Sequence, residues 1–159
     1  HADSMKNRQT LTRGQVQYMS AGTGVWHSEH NYGHEVLRFL QIWIFPDKQG
    51  YTPQYGGQAF RWEDRINNWM PIASGDGNAS FPIQIHADVH VYATLLPRTE
   101  KLPFSVKPGR QAYLVVIEGA ATVGSIALEE RDALEIVEED IELEAQDTVH
   151  ALVIEMPKG

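Results

Sequence analysis

Apolar positions along this chain recur mostly at intervals of two, the period that sends successive side chains to opposite faces of a strand. From Gly14 to Ser20, Val16 and Tyr18 fall on one face and Gln15, Gln17 and Met19 on the other. The run from Val36 to Phe45 is largely apolar on both faces, with Gln41 the exception on one and Arg38 on the other. That pattern predicts a long strand sandwiched between two layers. Shorter strands are predicted over 9–11, 83–85, 89–96, 104–106, 112–117, 121–123, 133–137, 141–145 and 151–156. The acidic stretch 128–146 would favour a helix by propensity. Alternation decides otherwise, because Leu134 and Ile136, then Ile141 and Leu143, are spaced by two and flanked by carboxylates, as in strands with one wet face. Trp62–Arg65 could begin a helical turn, and 74–78 is a turn by composition. Many short strands separated by turn residues predict an all-β sandwich or barrel.

Composition narrows the chemistry. With 159 residues, 42% of them hydrophobic, the chain can bury an ordinary core. It has no Cys, so disulfides, thiolate catalysis and Cys-rich zinc sites are excluded, and a metal would have to take N and O ligands. No apolar run approaches the roughly 20 residues of a membrane helix. The expected location is the cytoplasm, with no membrane partner. The net charge of −8 argues against nonspecific nucleic-acid binding, which needs clustered Lys and Arg. Ten of the 21 carboxylates lie between Glu129 and Asp147 against Arg131 alone, which reads as a solvated acidic face.

Candidate chemistry gathers after the first alternating strand. Ala21-Gly22-Thr23-Gly24 predicts a tight turn, and the chain then extends through Val25 and Trp26 into His27, Ser28, Glu29 and His30. On a strand His27 and Glu29 share a face, which makes half of a facial metal site. The same spacing also occurs on a plain polar strand face, and these residues alone leave both readings open. His86 and His90 stand four apart, about 13 Å on a strand and too far for one ion, so structural roles are expected for them. His150 stands alone, which predicts a metal-free C-terminal half.

The run QYMSAGTGVWHSEHN, from Gln17 to Asn31, resembles the pirin family of bicupins, in which an xxMxAGxGxxHxE run supplies two metal ligands. The resemblance continues in LQIWIFPDKQGYTPQY (40–55) and IQIHADVHVYATLL (83–96), three motifs in family order across nearly the whole chain. It implies an all-β bicupin, two cupin barrels packed together, with residues 1–80 as the remainder of an N-terminal metal-binding barrel and 81–159 as a C-terminal, metal-free one. His1–Met5 is similar to the segment that follows the family's first ligand strand. That earlier strand carries a His-x-His pair, and none of the seven histidines here forms one. The first barrel is therefore expected to be incomplete, with two further His ligands upstream.

The ligands implied here are His27 and Glu29, for one divalent first-row transition metal, iron foremost, with Ni, Mn, Cu, Co or Zn also suited to N and O donors. The activity implied is a metal-dependent dioxygenase acting on quercetin or a similar flavonol, with Glu29 as both ligand and base. Met19, Trp26 and Gln41 are candidate pocket residues for a flat aromatic substrate. The alternative is a metal- or redox-sensing co-regulator of transcription without turnover, working through a protein partner. Exposed strand edges would also predict self-association.

Overall fold

The computed structural model describes residues 1–159, and the chain divides into two compact units, His1–Phe60 and Arg61–Gly159. The first unit is built from four short strands: β1 (Ala2–Asp3), β2 (Gln15–Ser20), β3 (His27–Ser28) and β4 (Gln54–Ala59). They form two antiparallel ribbons, β1 with β3 and β2 with β4. The second ribbon runs in unbroken register from Gln15 opposite Ala59 to Ser20 opposite Gln54. Between β2 and β3 the predicted turn is present. Gly22 has φ +52°, and a Cβ there would run into the Tyr51 carbonyl, so glycine is required on both counts.

Two predicted strands of this unit differ in the structure. Residues 9–11 form no strand, although Gln9 donates its amide to the His1 carbonyl. Val36–Phe45 is outside every sheet, with Val36 91% and Phe45 88% exposed. The alternation read there is real, but a strand is defined by its neighbour, and no other segment of this chain pairs with it.

The second unit opens with a 3₁₀ turn at Trp62–Arg65, where the sequence suggested a helical turn. Ten strands follow: β5 (Met70–Ser74), β6 (Ile83–Gln84), β7 (His90–Leu96), β8 (Lys101–Ser105), β9 (Arg110–Glu118), β10 (Ala121–Val123), β11 (Ile126–Leu128), β12 (Ala133–Val137), β13 (Asp140–Ala145) and β14 (Val149–Pro157). They make a six-stranded sheet in the order β12-β9-β14-β7-β5-β6 and a four-stranded sheet in the order β11-β10-β13-β8. The core includes Leu96, Leu114, Val116, Ile136, Leu143, Val149 and Val153, all without accessible surface. Burying each such side chain contributes about 1.5–3 kcal/mol. The unit begins earlier than residue 81 because β5 pairs with β7, so Met70–Ser74 belongs to the larger sheet.

Candidate metal centre

The centre is built by the β1–β3 ribbon, which pairs Asp3 with His27 and Ala2 with Ser28. His1 precedes this ladder and Glu29 follows it, so both flank the same few residues of sheet. His1, His27 and Glu29 each offer a ligand atom, and these atoms all lie within 4.8 Å of one another. Two imidazoles and a carboxylate form the donor set of a facial triad that leaves other coordination positions open.

The surroundings orient each donor. Nε2 of His1 lies 3.1 Å from Oδ2 of Asp3, and the His1 ring stacks on Tyr55 at 4.4 Å between centroids and 8° between planes. Nδ1 of His1 is buried and has no hydrogen-bond partner. A buried nitrogen without a proton donor or acceptor is costly in a purely structural role and is suited to a cation. A carboxylate on the other ring nitrogen is the usual way a ligating His is held in place. Burial pushes the Asp3 carboxyl up, but hydrogen bonds from the Asn7 side chain and from the Asn7 and Met5 amides, with nearby His27, bring it below its ordinary value. Nε2 of Gln17, on β2, donates to Oε1 of Glu29 at 2.6 Å. Tyr55 on β4 donates its hydroxyl to Oε1 of Gln9 at 2.5 Å.

His27 and Glu29 are therefore brought together, both exposed at the rim. Met19 lies on β2 opposite Tyr55. Trp26 is 86% exposed and Gln41 also lies at the surface, so neither is enclosed with the donors. His1 was missed by spacing arguments because it is 26 residues from His27. The available signal was the separation of two between His1 and Asp3, which suits an imidazole and a carboxylate that orients it. His150 lies elsewhere, with Nε2 3.2 Å from Nη1 of Arg65 and its ring edge-on to Trp62.

Residues 1–44 match the family described as Pirin, and residues 71–156 match the family described as Quercetinase C-terminal cupin domain. The chain is 36% identical over 157 residues to a Pseudomonas aeruginosa protein provisionally named a quercetin 2,3-dioxygenase, covering 98% of this chain and 68% of that protein. The chain belongs to the pirin family. This pirin is 31% identical over 159 residues to the quercetin 2,3-dioxygenase of Escherichia coli K12, covering 99% of this chain and 67% of that protein. It superimposes with a TM-score of 0.85 on the crystal structure of the bacterial pirin YhhW from Escherichia coli in complex with nickel(II), at 26% identity, covering 99% of this chain and 67% of that one. This pirin thus spans about two thirds of the length of these relatives. Its all-β, cupin-type fold is the one the sequence implied. No helix is long and apolar enough to cross a membrane.

Proposed function

We propose that this pirin is a metal-dependent dioxygenase that oxidises quercetin or a similar flavonol with dioxygen, its first unit carrying the metal and its second serving as a metal-free cupin. The observation that carries the reading is the convergence of His1, His27 and Glu29 within 4.8 Å in the unit that matches the Pirin family. Named relatives and the nickel complex of a neighbour support it. A divalent first-row metal held there would supply Lewis acidity and open positions for substrate oxygens. His27 and Nδ1 of His1 would give nitrogen donors, with Asp3 and the Tyr55 ring fixing the His1 plane. Gln17 donates to Oε1 of Glu29, so Oε2 would remain to hold a metal or to accept the proton of a flavonol hydroxyl. Solvent reaches His27 and Glu29 directly, so a flat substrate has an open approach.

The test is elemental analysis of the purified 159-residue chain after loading with iron(II) or nickel(II), followed by oxygen uptake with quercetin. About one metal per chain, with uptake that disappears in Glu29→Gln, is the expected result. Metal binding without uptake would replace the enzyme by a metal-binding protein. No metal in the wild-type chain would remove the centre as drawn.

A further inference from the structure

The donors His1, His27 and Glu29 lie on or beside the β1–β3 ribbon, and side chains of the β2–β4 ribbon reach across to them. Alternation puts Gln17 and Met19 on one face of β2. Register sets Met19 opposite Tyr55 and Gln17 opposite Gly57, so Gln17 and Tyr55 are diagonal neighbours on that face. Tyr55 extends towards both ends of the donor set. Its ring stacks on the His1 ring at 4.4 Å and 8°. Its hydroxyl lies between two side-chain amide oxygens, Oε1 of Gln9 at 2.5 Å and Oε1 of Gln17 at 3.4 Å.

Gln9 is itself fixed in place. Its amide N–H donates to the His1 carbonyl at 3.2 Å, and the His1 backbone nitrogen donates to the Gln9 carbonyl at 3.0 Å. Its side-chain amide lies so close to Gly57 that a Cβ there would collide with it. The short Gln9 contact therefore anchors the Tyr55 hydroxyl. The Gln17 contact is long for an O–H···O bond, and its effect is on orientation. The two ends of an amide are alike in shape and opposite in hydrogen-bonding character. With Oε1 of Gln17 turned to a hydroxyl donor, Nε2 is turned to Glu29, where it donates to Oε1 at 2.6 Å. Rotated by half a turn, Gln17 would set its own oxygen against a carboxylate oxygen, acceptor against acceptor.

We propose that Tyr55 is a positioning residue of the metal centre, its ring setting the plane of His1 and its hydroxyl choosing which end of the Gln17 amide faces Glu29. This rests on the reading of His1, His27 and Glu29 as metal donors. Tyr55→Phe keeps the stacked ring and removes the hydroxyl, and two measurements on it separate the claims. In the metal-free, ¹⁵N-labelled chain, solvent exchange of the Gln17 side-chain amide protons is expected to speed up about three- to tenfold, while resonances of the second unit stay in place. Nickel(II) affinity, measured by competition with a chelator, is expected to fall about tenfold. Because the hydroxyl acts through Gln17, the double variant with Gln17→Ala is expected to lose less than the product of the two single losses. A purely structural tyrosine would show no such coupling. Unchanged Gln17 exchange, nickel(II) affinity equal to that of the parent, or single losses that multiply in the double variant would each overturn the proposal. A parent chain that binds no nickel(II) removes the metal reading and the proposal's link to it, whereas faster Gln17 exchange in Tyr55→Phe would still support the hydroxyl as the group that orients Gln17.

Discussion

The two units of this pirin use the same kind of alternating sequence to opposite ends. In the second unit, β9 lies between β12 and β14, and its Ala112, Leu114 and Val116 are sealed by both sheets. In the first, Val36, Leu37, Phe39, Leu40 and Trp43 follow an equally apolar pattern and stay exposed. Apolar alternation is thus a request for neighbours rather than a structure in itself. Where register supplies them on both sides, a core forms, and where it supplies none, the same residues remain at the surface. The contrast also divides labour: the tightly packed unit has the cohesion, while the sparsely packed one holds His1, His27 and Glu29, the donors of the proposed metal centre.

The strongest way to break this contrast is a matched pair of truncations. Leu114→Ala should cost about 2–5 kcal/mol in urea unfolding, because the cavity it leaves is closed on all sides. Leu37→Ala removes the same atoms from a side chain already more than half exposed and should stay within about 0.5 kcal/mol. Equal costs would show that Val36–Phe45 is packed in solution. The next effect in size belongs to the charged end of the larger sheet. Glu155→Ala leaves Arg110 and His90 facing each other without their shared carboxylate and should cost about 3 kcal/mol. A near-neutral result would mean that water takes over the role of Glu155 and that this end of the sheet is looser than its core.

Much of the second unit could be read from residue order because its signals are local. Leu134 with Ile136 and Ile141 with Leu143 announce β12 and β13, and Ile136 and Leu143 are indeed without accessible surface. What could not be read depends on distant partners. Residues 36–45 satisfy every local rule for a strand, yet pairing is a property of two segments. The Arg110, His90 and Glu155 cluster joins three strands through register, and no spacing in the sequence announces it. At the proposed metal centre the separation of two between His27 and Glu29 can be read from the sequence, whereas His1 comes near them only through the β1–β3 ladder.

A third experiment separates function from packing. Gln17→Ala removes the hydrogen bond that holds Oε1 of Glu29 but no core atom. Metal affinity measured by competition with a chelator should fall about 10- to 100-fold, while the urea midpoint of the second unit stays where it was. A shift in that midpoint would mean that the two units do not divide labour as drawn.

The smallest effect is electrostatic and probes the rim of the well-packed unit. Glu138, in the turn between β12 and β13, accepts the Gly109 amide at 2.8 Å and an N–H of Lys158 at 3.2 Å. The Gly109 hydrogen bond, then Lys158, hold its carboxyl below the ordinary glutamate value. A carboxyl depressed by folding contributes stability above its unfolded pKa, about 4.3, and that contribution is lost as the pH falls through the lower folded value. Glu138→Gln keeps an oxygen for Gly109 but cannot titrate or pair with Lys158. Urea midpoints of the two chains should therefore differ slightly at neutral pH, with the parent ahead, and converge in acid, where the protonated Glu resembles Gln. Salt at about 1 M should shrink the neutral difference by screening Lys158 without touching the Gly109 hydrogen bond. Parallel midpoints across the whole range would place the cohesion of this unit in its apolar core alone and give its charged rim no part in it.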